Sequence, residues 1–144
     1  MKLDRDGIAR CVPHSGAMLL LDSVSEWDTD HIVCSAPAPG AAHPLAREGK
    51  LSAVAAIEYG AQAAAVHGYL VEQPVVPRSG MLAKLSDVHL SLARVPADRG
   101  ALCVNARLLS RLALGCLYEF EIASAGERVA HGRLMVAFAK PADQ

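Results

Sequence analysis

From Leu51 to Gln73 the chain reads LSAVAAIEYGAQAAAVHGYLVEQ, apolar or small at almost every position. That length makes about six turns of helix at roughly 1.5 Å per residue. Ser52 is placed to cap the start, alanine fills the interior, and Pro74 stops continuation. Glu58 is the only acid between Lys50 and Glu72, and Gln62 follows one turn later. A helix apolar on nearly every side is wrapped by other structure rather than laid on a surface. A carboxyl group inside such a helix is costly unless paired, hydrogen-bonded or protonated, which makes Glu58 the first candidate for chemistry.

Around the helix the pattern changes to a period of two. Residues 23–33 predict a strand that turns at Asp28-Thr29-Asp30 and pairs through His31-Ile32-Val33-Cys34. Residues 81–95, 101–109, 115–124 and 128–140 predict four more, with Tyr118, Phe120 and Ile122 alternating against Glu119 and Glu121. Ala125-Gly126-Glu127 is a tight hairpin turn and 96–100 a looser one. Residues 3–11 suit a short helix or turn, and 17–22 suit either a buried strand or one helical turn. Residues 36–49, broken by Pro37, Pro39, Gly40, Pro44 and Gly49, form a long loop with His43 in its middle; 74–80 form another. One buried helix and five or six antiparallel strands predict an α+β chain, a sheet curled around a single central helix, with loops and a partner subunit closing the rest. This is the hotdog architecture, as one domain over residues 1–144.

Composition narrows the class. The chain has 144 residues, 14 basic and 15 acidic side chains, and a net charge of −1, with its basic residues dispersed. That argues against nucleic acid as a partner. No apolar run reaches the ~18 residues of a membrane span, and MKLDRDGIARC lacks a signal-peptide core, so a cytoplasmic protein is the expectation. Cys11, Cys34, Cys103 and Cys116 show no metal-ligand spacing and are expected to be buried apolar side chains; no metal or other cofactor is expected.

Two stretches carry a resemblance. Pro13-His14-Ser15-Gly16-Ala17-Met18-Leu19-Leu20-Leu21-Asp22 resembles the opening of hotdog 3-hydroxyacyl-ACP dehydratases, and Ile57-Glu58-Tyr59-Gly60-Ala61-Gln62 resembles their helix signature. The branch most similar is the dehydratase-like proteins of aryl polyene pigment clusters. There an HPL…G-x-L loop leads into an IEY-x-AQ helix, as His43-Pro44-Leu45 and Gly49-Lys50-Leu51 do here. The fatty-acid-synthesis dehydratases carry a GHFP-x-x-P-x-x-PG loop. This chain has His43-Pro44 without that glycine and phenylalanine, and Leu51-Ser52-Ala53 without Pro-Gly at the helix start.

The resemblance implies dehydration of a 3-hydroxyacyl group on acyl carrier protein, with no cofactor. That reaction needs a base for the C2 proton and an acid for the departing hydroxyl. It assigns Glu58 as acid, held protonated by burial, and His43 as base. N–H groups of the first helical turn, from Ser52 and Ala53 onward, would bind the thioester oxygen. His14 is adjacent to the site, and Gln62 positions Glu58 or its neighbour. Glu58 and His43 would meet across the interface of a homodimer, or of a heterodimer with another hotdog subunit.

At about 100° per residue, Gln62 and Tyr69 share the face of Glu58 while His67 is opposite, a packed or interface histidine. His31, His89 and His131 are expected to be solvated or core. Arg78, Lys84, Arg94 and Arg99 are expected on a solvated face, with an acidic carrier-protein surface as the other use for them. A hotdog thioesterase, in which the helix carboxylate directs water at the thioester, is the competing enzyme. A non-catalytic subunit paired with an active dehydratase is the competing non-enzyme.

Overall fold

The computed structural model describes residues 2–12, 16–73, 80–113 and 115–138. Its elements are α1 (Arg5–Ala9), β1 (Ser23–Trp27), β2 (His31–Ala36), α2 (Ala56–Glu72), β3 (Gly80–Leu90), β4 (Leu102–Leu112), β5 (Gly115–Ser124) and β6 (Glu127–Phe138). The six strands form one antiparallel sheet in the order β1-β2-β4-β5-β6-β3. Period-two patterning is what makes this sheet one-sided. Ile32 and Cys34 on β2, Val104 and Ala106 on β4, and Phe120 and Ile122 on β5 are all within 1 % of complete burial, and they face α2. No residue of α2 is exposed, as its nearly continuous apolar sequence requires. The hotdog arrangement expected from the sequence is therefore the fold.

Local chemistry sets the ends. Asp4 caps α1 by accepting the Gly7 N–H at 2.8 Å. Ala125 and Gly126 have φ values of 49° and 81°, the left-handed pair that a two-residue hairpin between β5 and β6 needs. Asp28 Oδ1 accepts the N–H groups of Asp30 and His31 at 2.8 and 2.9 Å and closes the β1–β2 turn. These bonds and the adjacent His31 ring hold its carboxyl down at about 2.

Three expectations need correction. The α-helix does not begin at Leu51. Residues Ala53–Ala55 form a 3-10 turn, capped by Ser52, and α2 starts at Ala56. The cause is a clasp: Ala53 N–H donates to the Ala93 carbonyl at 3.0 Å and Val95 N–H to the Leu51 carbonyl at 2.9 Å. The same clasp ends β3 at Leu90 instead of Val95, because residues 93–95 leave the sheet to meet the helix start. Residues 17–22, expected as a buried strand or one helical turn, take the second form only at their start, where a 3-10 turn at Gly16–Met18 leads into extended chain. Finally, Cys11, Cys34 and Cys116 are buried as expected, but Cys103 is exposed, since it alternates with the inward-facing Leu102 and Val104. Burial pushes the Cys34 thiol up to about 12, so it is inert.

Gly60 marks the closest approach of α2 to the sheet. A Cβ there would lie 2.8 Å from Phe120 Cδ2 and 3.0 Å from its Cβ, on a ring only 1 % exposed. Gly60→Ala gains about 1 kcal/mol of helix propensity. It is nevertheless expected to destabilise the fold by about 1–3 kcal/mol through overpacking. Urea unfolding measures the sign, and a stabilised variant would show that the helix can ride away from β5.

Candidate active site

Glu58 lies in the first turn of α2 and is half-buried in the single chain. It belongs to the one stripe of the helix region that the sheet leaves partly open, with Val54, Ala61, Ala65 and Tyr69. Gln62, one turn on, is 1 % exposed. Its amide oxygen accepts the Leu20 N–H at 3.0 Å, and its NH₂ donates to the Met18 carbonyl at 2.8 Å and, more weakly, to Glu58 Oε1 at 3.4 Å. Gln62 thus ties α2 to the segment just after the Pro13-His14-Ser15 stretch, and Glu58 sits beside that tie. Gln62→Ala leaves a buried N–H and a carbonyl without partners. It is expected to lower stability by about 2–3 kcal/mol, measured by denaturant midpoint.

His43 is half-buried in the long loop, whose chain folds back against the helix. Its Nδ1 accepts the Leu45 N–H at 3.1 Å, and its Nε2 lies 3.0 Å from the Tyr59 hydroxyl, with the rings stacked at a centroid separation of 6.1 Å. A backbone N–H can only donate, so Nδ1 is the unprotonated nitrogen of a neutral ring and the proton is on Nε2, directed at Tyr59. Burial lowers the His43 pKa and so favours this neutral form. Tyr59 is 1 % exposed, and burial raises its phenol to about 12. Neither partner is charged near pH 7.

The imidazole and the phenol open onto a cavity of about 210 Å³ with apolar walls that include Leu19, Leu20 and Pro39. Arg5 is its third polar group, and donates to the Gly16 carbonyl at 2.8 Å and to the Leu21 carbonyl at 3.3 Å. A larger hollow of about 350 Å³ lies on the other face of the sheet, away from Glu58 and His43. Its lining is mostly charged and polar, and Arg128 pairs with Glu121 there at 2.7 Å.

Four N–H groups of the helix start, those of Ala53 to Ala56, are engaged. The Ser52 hydroxyl accepts the Val54 N–H at 3.2 Å, the Ser52 carbonyl accepts the Ala55 N–H at 3.0 Å, and Ala93 takes the Ala53 N–H. The Ala56 N–H is shared between the carbonyls of Ala53 and Val54. Binding of a thioester oxygen here would require these internal bonds to be exchanged. His14 and Arg78 lie outside the described residues. Arg99 is engaged with Glu127, while Lys84 and Arg94 are exposed.

The remaining histidines sort by face. His67, half a helical turn from Glu58, is completely buried under the sheet. Its Nε2–H donates to the Asp28 carbonyl at 2.8 Å and its Nδ1 accepts the Tyr118 hydroxyl at 2.7 Å. His31 sits 2.9 Å from Asp28 Oδ1 and 3.6 Å from Glu26 Oε1. His89 and His131, unconnected in the sequence reading, are cross-strand partners of β3 and β6 and stack at 5.0 Å. Among the described residues no group of His, Cys, Asp and Glu is arranged to hold a metal, and no helix is long and apolar enough to cross a membrane. The residue that sequence reasoning passed over is Tyr59. Its signal was its position beside Glu58, but its pairing with His43 depends on how the loop folds back.

Comparisons with known proteins bear on the fold and the family. No curated protein matches the chain. Among solved structures, the dehydratase heterocomplex ApeI:P from Xenorhabdus doucetiae is similar at 25 % identity and a TM-score of 0.81, over 92 % of this chain and 91 % of that one. A mutant thioesterase from Pseudomonas aeruginosa (15 % identity, TM-score 0.68, 95 % and 94 % covered) shares the fold. So does a thioesterase from Haemophilus influenzae (12 %, 0.67, 96 % and 92 %). The family model for ApeP-like proteins, described as the ApeP dehydratase, matches residues 7–144, and the chain belongs to that dehydratase family.

Proposed function

We propose that this chain dehydrates 3-hydroxyacyl thioesters carried on acyl carrier protein to trans-2-enoyl thioesters, in aryl polyene-type synthesis. The observation that carries the reading is a neutral loop imidazole, His43, held against Tyr59 on a cavity walled in part by Leu19, Leu20 and Pro39, with the half-buried carboxyl of Glu58 on the neighbouring open stripe of the same helix. Glu58 is the proposed proton-handling group; His43, expected as the base, has Nδ1 occupied by the Leu45 N–H and its proton on Nε2, so as folded its ring holds no free lone pair and it serves to arrange the cavity. His43 is held against Tyr59, the neighbour of Glu58 on α2 but about 100° around the helix. Glu58 lies on the open stripe instead. A complete site therefore joins the His43 cavity of one subunit to the Glu58 stripe of another. The small side chains of Ala61 and Ala65 let a second hotdog subunit come close, and the ApeI:P heterocomplex makes a different subunit a natural partner.

A second reading has one specific support. The N–H groups of Ala53, Val54, Ala55 and Ala56 at the helix start are engaged within the chain, which fits a subunit that completes an active partner without turning over acyl groups itself. The likeness to thioesterases is one of fold and favours neither enzyme.

The deciding experiment incubates the purified protein, alone and with a co-expressed hotdog subunit, with 3-hydroxyacyl carrier protein. Enoyl product and free thiol are both followed. Enoyl formation by the chain alone supports dehydration, and enoyl formation only in the mixture supports the subunit reading. Thiol release without enoyl product overturns both.

A further inference from the structure

We infer that Tyr59 is the group that binds the thioester carbonyl oxygen of the substrate, and that His43 is its positioning residue. This rests on the acyl-thioester reading above and takes His43 out of proton transfer: the C2 proton passes to the Glu58 carboxylate, which returns it to the C3 hydroxyl as that group leaves as water. Dehydration builds negative charge on the thioester oxygen as the C2 proton leaves, so the site needs a donor preset at that oxygen. Of the helix-start amides suggested by resemblance, those of Ala53, Val54, Ala55 and Ala56 have acceptors within the chain, and Ser52 is not among the residues that line the His43 cavity.

The cavity wall supplies a different donor. The Leu45 N–H occupies Nδ1 of His43, which places the ring proton on Nε2. Nε2–H therefore donates to the Tyr59 oxygen, and the phenol oxygen acts as acceptor toward the ring. The hydroxyl proton of Tyr59 is thereby turned away from His43, its one hydrogen-bond partner among the described residues, and Tyr59 lines the cavity. Accepting one hydrogen bond makes a hydroxyl a stronger donor of the next. Desolvation keeps the phenol protonated, so it donates without giving up its proton. Arg5, on the same cavity, holds the Gly16 and Leu21 carbonyls with two of its five N–H groups, and Tyr59 is the neutral donor of the lining.

The role of His43 is tested by its tautomer. Nitrogen-15 NMR of the folded protein at pH 7.5 is expected to show His43 protonated at Nε2; protonation at Nδ1 overturns the inference. The role of Tyr59 is tested by binding butyryl-pantetheine labelled with carbon-13 at its carbonyl, a thioester with no hydroxyl to lose. Its infrared carbonyl stretch is expected to move to lower frequency on the wild-type protein and to return to the free value with Tyr59→Phe. His43→Gln should give an intermediate shift. No shift in the wild type, or the same shift in wild type and Tyr59→Phe, overturns the inference.

In the dehydration assay Tyr59→Phe should lower kcat by about 10²-fold with little change in KM. Thermal melting establishes that the variant is folded. Unchanged kcat would overturn the role of Tyr59 while leaving dehydration intact. A wild type with the infrared shift but no enoyl product would sink dehydration and leave the Tyr59 contact standing.

Discussion

Glu58→Gln is expected to lower turnover of a 3-hydroxyacyl thioester by about 10³-fold, the middle of the range for losing a proton-transfer group. The substitution keeps the shape of the side chain and an oxygen that can still accept from Gln62, whose NH₂ is 3.4 Å from Glu58 Oε1. The melting temperature should therefore stay within a few degrees of wild type. Glu58 sits on the half-open stripe of the helix while His43 faces Tyr59, so complementation also tests the assembly. If the protein is a homodimer, co-expressed Glu58→Gln and His43→Asn chains should regain activity that neither has alone, because one site of the mixed dimer receives both wild-type groups. Full turnover by Glu58→Gln would remove the carboxyl group from the mechanism. Failure to complement would place both groups of each site in one chain or assign the second subunit to a different protein.

The largest stability effect is expected at His67. This ring is completely buried between α2 and the sheet, with both nitrogens bonded, to the Tyr118 hydroxyl and the Asp28 carbonyl. His67→Leu fills much of the space but leaves both partners without the ring, and is expected to cost about 2–4 kcal/mol at pH 7.5. The pH dependence follows from the direction of the shift. Burial lowers the His67 pKa below its ordinary value of 6.5, so the unfolded chain takes up the proton at a higher pH than the folded one.

Between those two values the unfolded state binds more protons, and stability rises with pH. The contribution is therefore full above about pH 7 and is lost as pH falls through 6.5 toward the folded pKa. The slope is at most about 1.4 kcal/mol per pH unit for one proton. His43, also lowered by burial, adds to the same window. Asp28, held down at about 2, is shifted in the same direction and also loses its contribution on protonation, but only below about pH 4. Urea unfolding between pH 5 and 8 should show a positive slope near pH 6 that His67→Leu reduces. An unchanged slope would mean that the folded ring takes up its proton at the same pH as the unfolded one.

Much of this could be read along the chain because it depends on neighbours at fixed spacing. The alternation of Tyr118, Phe120 and Ile122 against Glu119 and Glu121 places the first three under the helix, since successive strand residues must face opposite ways. The 180° between Glu58 and His67 follows from helical pitch, and the structure puts one on the open stripe and the other beneath the sheet. Gly126 and its neighbour announce the β5–β6 turn through the backbone freedom of glycine. The misplaced helix start and the overlong β3 have one cause, the clasp between residues 51–53 and 93–95, which joins segments some forty positions apart and leaves no periodic trace.

The sequence by itself determined that one acid lies within an otherwise apolar helix and that a sheet must cover that helix, because burial of apolar surface selects both from residue pattern alone. Tertiary structure alone decided what surrounds that acid. It placed His43 on Tyr59, spent the helix-start amides on Ser52 and Ala93, and set Gln62 on the backbone of residues 18–20. The physical reason is that a hydrogen bond is settled by distance and direction to within a few tenths of an ångström. Loops bring its two ends together, and no local rule of the chain records where they meet.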